Sequence, residues 1–156
     1  MTDLYSELSM LCNAVSEFCT HRKCPRMKAH TNEYLWANTS GEKVVLEEVS
    51  ARRYMENLTV WMDGQLNEIN SGKPERTAGA VRLTLKSFCR RLLRVYAHIF
   101  CHHAHDIKTI EHHMKYSLMN FLLFMRSSEV VINPLEFDPL VTTVAAMHIA
   151  DFTLPF

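Results

Sequence analysis

The stretch Arg90-Arg91-Leu92-Leu93-Arg94-Val95-Tyr96-Ala97-His98-Ile99-Phe100, which runs on into Cys101-His102-His103, decides how this chain folds. Its apolar residues continue the series Val81, Leu85, Phe88, Leu92, Val95 and Ile99, spaced alternately by four and three from a start near Ala80. That period predicts one long helix with a buried face. At about 100° per residue, Arg90, Arg91 and Arg94 share roughly a quarter-turn arc on the side away from Leu85, Phe88, Leu92 and Ile99, with Lys86 one turn earlier. Three guanidiniums grouped in this way can hold a phosphate through charge-assisted, bidentate hydrogen bonds. Basic residues on an outer helix face are also commonly just solvated.

Outward from this helix, the same period recurs. Leu4, Leu8, Leu11, Val15 and Phe18 form one face of a first helix, with Thr2 as its cap. Ser50 caps a second, with Tyr54, Leu58, Trp61, Gln65 and Ile69 on one side. A further helix is expected from about Thr109 to Met125 through Ile110, Met114 and Phe121, and a last helical segment from Leu135 to Ile149 after Asn133-Pro134. Cys19 to Thr31 and Asn70 to Gly79 read as loops. Tyr34-Leu35-Trp36-Ala37 and Lys43-Val44-Val45-Leu46 flank Asn38-Thr39-Ser40-Gly41, which reads as a β-hairpin around a turn. The fold class is therefore all-α, a helix bundle with one small hairpin. Trp36, Trp61, Met114, Met119 and Met125 sit at core-type spacings and read as packing.

A chain of 156 residues, 47% hydrophobic, suits one domain with one core. No run of about 20 apolar residues is present, so no membrane partner is expected. Seventeen acidic and seventeen basic residues give no net pull toward nucleic acid, and no broad basic surface with exposed aromatics accompanies the arginines. The five cysteines are an odd number without a signal peptide, which fits a reducing cytoplasm or nucleus better than a disulfide framework.

Cys19 and Cys24 have four residues between them, as do His98 and His103. Two thiolates and two imidazoles can close a tetrahedral zinc site, pinning the first helix to the long one. Free thiols with solvated histidines are the competing reading. In a regular helix, residues four apart share a face, which favours His102 as the partner of His98; His103 serves if the helix ends near Cys101. A catalytic zinc with Asp106 or Glu111 as base is a further alternative, although no HExxH-type motif is present. His105, His112 and His113 read as solvated, and Cys12, Cys89 and Cys101 as packing residues.

Several motifs together resemble the Mob/phocein family. Glu17-Phe18-Cys19 with Cys24-Pro25-Arg26-Met27 is similar to its first zinc pair, and Glu33-Tyr34-Leu35-Trp36-Ala37 to its hairpin. Trp61 to Leu66 resembles its Trp-x-x-x-Gln-Leu helix end, and Arg90 to His103 gives the strongest match. Asn120-Phe121 to Glu129 and Glu136 to Leu140 are similar more loosely, so the resemblance covers roughly residues 3–140. It implies a non-catalytic co-activator of NDR/LATS-class protein kinases that also binds phosphorylated segments of Ste20-like (Hippo-type) kinases or scaffolds. It implies Zn2+ on Cys19, Cys24, His98 and His103, phosphate binding by Arg90, Arg91 and Arg94, and a kinase contact at Asp3. It further implies a cytoplasmic address, with the nucleus as a second one.

The chain also departs from the family pattern. It begins near the family's first core helix, without the preceding helix and arm. Lys43-Val44 stands where relatives carry two lysines, and the 70–79 loop lacks a Phe-Pro segment. Residues 141–156 form an apolar extension beyond a 1–140 domain, suited to covering the core or to a dimer contact. Two rival functions follow, a zinc-dependent hydrolase and a Mob scaffold that has lost kinase docking. Arg91→Ala or Arg94→Ala is expected to weaken phosphopeptide binding while sparing stability.

Overall fold

Apolar spacing of three and four residues builds the helices, and the longest of them organises the rest. The computed structural model describes residues 2–40, 43–71 and 77–146. Helix α1 (Thr2–Val15) buries Leu4, Leu8, Leu11 and Val15. Thr2 already lies in its first turn instead of capping it, and Phe18 follows the helix in a turn. Helix α2 (Ala51–Asn70) is capped as expected, with Ser50 Oγ accepting from the Arg53 N–H. Its buried stripe runs through Tyr54, Met55, Leu58 and Met62, so Trp61, Gln65 and Ile69 flank the core and do not fill it.

Helix α3 (Ala78–His102) begins at Thr77, whose hydroxyl accepts from the Ala80 N–H. This is two residues earlier than the apolar series suggests, because the capping residue fixes the start. It buries nine consecutive or near-consecutive side chains from Phe88 to Ile99, on both sides of its arginines. It packs against α2 and strand β1 (Lys28–Ala29), and against the turns that follow helix α4 (Glu111–Ser127). Helix α4 contributes Met114, Leu118, Phe121, Leu122 and Met125 to the same core.

Two short antiparallel ladders flank the bundle. Strands β1 (Lys28–Ala29) and β2 (Asn32–Glu33) pair inside the segment expected as loop, with His30 at φ 50° between them. Strands β3 (Trp36–Ser40) and β4 (Lys43–Glu47) form the expected hairpin, but its turn is displaced. Asn38 pairs with Val45 and Thr39 with Val44, so residues expected in the turn belong to the ladder. The β-branched Thr39, Val44 and Val45 favour extension over a turn here.

After α4 the chain reverses through a Schellman arrangement. The Val130 N–H reaches Met125 O and the Glu129 N–H reaches Arg126 O, with Glu129 at φ 51°. The segment expected as one helix is divided into 3₁₀ turns at Pro134–Glu136 and Asp138–Leu140, followed by helix α5 (Val141–Ala146). Pro134 and Pro139 lack the N–H groups that a continuous helix needs. The remainder of that expected segment, and the apolar tail, lie outside the described residues. Among the described residues no helix is long and apolar enough to cross a membrane.

One buried polar knot joins three helices. The Ser117 hydroxyl of α4 donates to the Glu7 carboxylate of α1. The Tyr96 hydroxyl of α3 lies 2.9 Å from the same carboxylate and 2.6 Å from Ser117 Oγ. Its single proton serves one of these acceptors at a time. A part-buried carboxylate that loses a donor retains its desolvation cost. Tyr96→Phe is therefore expected to lower unfolding free energy by about 1–3 kcal/mol, read from the urea midpoint, with the helical circular dichroism at low urea unchanged.

Candidate functional site

The loop after α1 and the end of α3 bring together four residues that could hold a metal ion. Cys19 and Cys24 follow α1 in a run of turns, fixed by backbone bonds from Cys19 N–H to Val15 O and from Cys24 N–H to Thr20 O. The Ala51 N–H in turn donates to Cys24 O, and the Met27 N–H to Val49 O, which fastens this loop to the start of α2. On the other side, α3 ends at His102, and His103 leaves the helix at φ −123°, ψ 17°. Helix termination here turns the His103 ring back toward His98 (ring centroids 5.2 Å apart), which five-residue spacing in a regular helix would not do.

The ligand atoms of Cys19, Cys24, His98 and His103 all lie within 4.8 Å of one another, and all four residues are buried. Cys19 Sγ is 3.4 Å from His98 Nε2, and Cys24 Sγ is 3.3 Å from His103 Nε2. A tetrahedral zinc with bonds of about 2.3 Å to sulfur and 2.0–2.1 Å to nitrogen requires S···N edges of roughly 3.5 Å. These two separations fit that demand. The outer ring nitrogens fit it too. His98 Nδ1–H donates to Lys28 O at 2.8 Å, and His103 Nδ1 meets Asp106 Oδ2 at 3.0 Å. Each outer bond turns Nε2 toward a sulfur as a free donor to a metal. Phe18 packs beside the His103 ring at 5.1 Å.

Electrostatics gives the same picture. Burial, and next the neighbouring Cys24, push the Cys19 thiol up to about 12; burial also raises Cys24 and lowers His98 to about 4. Packed this way the two thiols and the His98 ring are disfavoured as charged groups, and a divalent cation is what would make thiolates favourable there. His102 is exposed and stacks on His98 from outside, with centroids 5.1 Å apart, so it does not join the group. The bases considered for a hydrolase are engaged elsewhere. Asp106 holds the His103 ring, and Glu111 pairs with Lys115 at 2.6 Å. Four protein ligands also fill a tetrahedral shell and leave no position for a water.

The arginines form a second cluster, about two turns up α3. Arg91 is held between two tryptophans, its Cζ 4.4 Å from the Trp36 ring and 4.5 Å from Trp61. The sequence offered no sign of this role, since Trp36 and Trp61 are 25 residues apart on a hairpin and a helix. Arg94 lies over Tyr34 and makes a bidentate pair with Glu136, Nε to Oε2 at 2.9 Å and Nη2 to Oε1 at 2.7 Å. Arg90 Nε is 3.9 Å from the same Oε1. Burial works against the Arg94 charge, but the Glu136 hydrogen bonds, the neighbouring Tyr54 and the Glu136 charge together outweigh it and hold its pKa above the ordinary value. Burial lowers that of Arg91. Among the described residues, the buried side-chain polar atoms without a hydrogen-bond partner are Tyr34 OH, Tyr54 OH, Arg90 Nε and Arg91 Nη1. Three of the four belong to this cluster or to a ring stacked on it. The expectation that arginine substitution spares stability needs revision for Arg94, because its loss would strand the part-buried Glu136 carboxylate.

Asp3 is exposed on α1, at the rim of a small groove between α1 and α4 lined by Leu4, Glu7, Asn120, Phe121 and Phe124.

Residues 1–139 match the Mob1/phocein family. The chain belongs to that family. This Mob chain is 36% identical to "DBF2 kinase activator protein MOB1" of Saccharomyces cerevisiae over 94% of its own length and 48% of the relative's. It is 33% identical to "MOB kinase activator-like 2A" of Arabidopsis thaliana, covering 93% of the chain and 69% of the relative. It is 31% identical to "Maintenance of ploidy protein mob1" of Schizosaccharomyces pombe, covering 93% and 71%. It thus spans about half of the budding-yeast relative and about seven-tenths of the other two.

The geometry separates two adjacent histidines. His103→Ala is expected to abolish stoichiometric metal uptake, measured by elemental analysis of the purified protein, whereas His102→Ala leaves one metal ion per chain.

Proposed function

We propose that this chain is a non-catalytic adaptor that activates a protein kinase of the NDR/LATS class, is held rigid by one structural zinc, and binds a phosphorylated segment of an upstream Ste20-like kinase or scaffold. Membership in a family whose members are named for kinase activation carries this reading. Each part also rests on a distinct feature of the fold.

Zinc is the ion that suits a closed, buried set of two sulfurs and two imidazoles. Its role is mechanical. It ties the loop after α1 to the end of α3, and so fixes the helix on which the arginines stand. The arginines supply the phosphate site. Three guanidiniums against one carboxylate, Glu136, leave the cluster two positive charges in excess, and a phosphorylated side chain carries close to two negative ones. The Trp36–Arg91–Trp61 stack holds one guanidinium in place before any ligand arrives, which reduces the entropy lost on binding. A groove of about 590 Å³ bordered by Trp36, Glu47, Arg53, Glu56, Trp61 and Arg91 offers room for the peptide beside it, its two carboxylates lying away from the Arg90–Arg94–Glu136 group. The exposed Asp3 at the rim of the α1–α4 groove, with Phe124 beside it, suits a basic side chain from the kinase.

The same reading makes residues 1–140 the Mob domain and 141–156 an extension. It places the protein in the cytoplasm or nucleus, where Cys12, Cys89 and Cys101 stay as thiols.

Two experiments test these parts. Structural zinc contributes about 10–16 kcal/mol, as much as the roughly 5–15 kcal/mol net stability of a domain. Chelator titration followed by circular dichroism should therefore show cooperative loss of helix; an unchanged melting temperature after verified metal removal contradicts a structural site. In the second, an NDR-type kinase's N-terminal segment is captured on the immobilised chain. Asp3→Arg should weaken capture about tenfold with no change in melting, and Arg91→Ala should leave it intact while weakening phosphopeptide binding. No capture by the parent chain would favour a Mob scaffold without kinase docking.

A further inference from the structure

The carboxylate of Glu136 occupies the place on Arg94 that an incoming phosphate would need. It meets the guanidinium edge-on with two hydrogen bonds, and one of its oxygens also faces Arg90. This is the arrangement of a phosphate bridging two arginines, made instead by a side chain of the same protein. Both partners are largely covered, with side-chain exposures of 20% for Arg94 and 17% for Glu136. Glu136 ends a 3₁₀ turn that starts at Pro134, with Asn133 Oδ1 accepting from the Leu135 N–H. The turn holds it beside α3 in advance.

Resting on the phosphate site proposed above, we infer that Glu136 is a resident competitor that sets the selectivity of the site for phosphate over carboxylate. An anion takes the Nε–Nη2 edge of Arg94 only by displacing Glu136. A ligand carboxylate that does so exchanges one single charge for another, and the exchange is from an intramolecular partner to an intermolecular one. It gains no charge and loses the ligand's translational freedom. A phosphate dianion brings a second negative charge and a third acceptor oxygen to the same arginines, including Arg90. The site therefore rejects aspartate- or glutamate-bearing peptides that resemble the phosphorylated ligand, and a signal must come from a phosphorylated residue. A trio of free arginines would discriminate far less, because guanidinium binds both anions bidentately.

The test uses two minimal probes, N-acetyl phosphothreonine methylamide and N-acetyl glutamate methylamide. Each is titrated into the zinc-loaded chain with arginine side chains labelled with ¹⁵N, and the Arg Nε–H signals are followed. In the parent protein the phosphothreonine probe should shift the signals of Arg94 and Arg90 together, and the glutamate probe should bind at least about tenfold more weakly. In Glu136→Gln the glutamate probe should bind more tightly, and the preference for phosphothreonine should narrow about tenfold. An Arg94 signal that stays in place while Arg91 and Arg90 respond would show that Glu136 is never displaced and would overturn the inference. So would an unchanged preference in Glu136→Gln. The parent titration alone decides the matter if that variant does not fold. No arginine response to phosphothreonine in the parent would instead defeat the phosphate site itself.

Discussion

Four side chains from two distant stretches, Cys19 and Cys24 on one side and His98 and His103 on the other, hold the molecule in register. Their ligand atoms lie within 4.8 Å across a sequence separation of 79 residues for each close pair. Apolar packing of α1, α2, α3 and α4 draws the helices together, but packing is non-directional. The sulfur–imidazole cluster adds direction, since each ring is aimed by an outer hydrogen bond to Lys28 O or Asp106. The β1–β2 ladder matters for the same reason, because it presents Lys28 O to His98.

From this anchor the rest of the surface follows. Helix α3 is fixed near its C-terminal end by the cluster and, two residues before His98, by the Glu7–Tyr96–Ser117 knot. The arginines immediately upstream thus have a defined position against the hairpin, α2 and the turn after α4. Trp36, Trp61 and Glu136 come from those three elements and meet Arg91 and Arg94 there. A helix free to rotate would present the same three charges to solvent without this setting. Rigidity at the cluster and the fixed setting of the arginines are thus two consequences of one constraint.

Much of this was legible in the sequence, for identifiable reasons. The helices α2, α3 and α4 declared themselves through apolar period, and α2 also through its capping Ser50. The four cluster residues were visible as paired spacings, and the choice of His103 over His102 depended on where α3 ends. That end lies at His103 because the chain takes non-helical dihedrals there, which no side-chain pattern marks. Three further features were hidden because they arise from long-range contact. The Glu136–Arg94 pair joins residues 42 apart, and Glu136 carried only the resemblance of a loose motif. The tryptophan sandwich looked like ordinary core material. The hairpin turn was misplaced because polar Asn38, Thr39 and Ser40 read as turn formers, whereas ladder pairing overrides that local preference.

The central claim is that a zinc ion bridges the two halves of the chain. X-ray absorption at the zinc edge on the purified, metal-replete protein tests it most directly. The account predicts one zinc per chain with two sulfur neighbours at about 2.3 Å and two nitrogen neighbours at about 2.0–2.1 Å. A shell of oxygen neighbours, or a well-folded protein that binds no zinc at all, would contradict it.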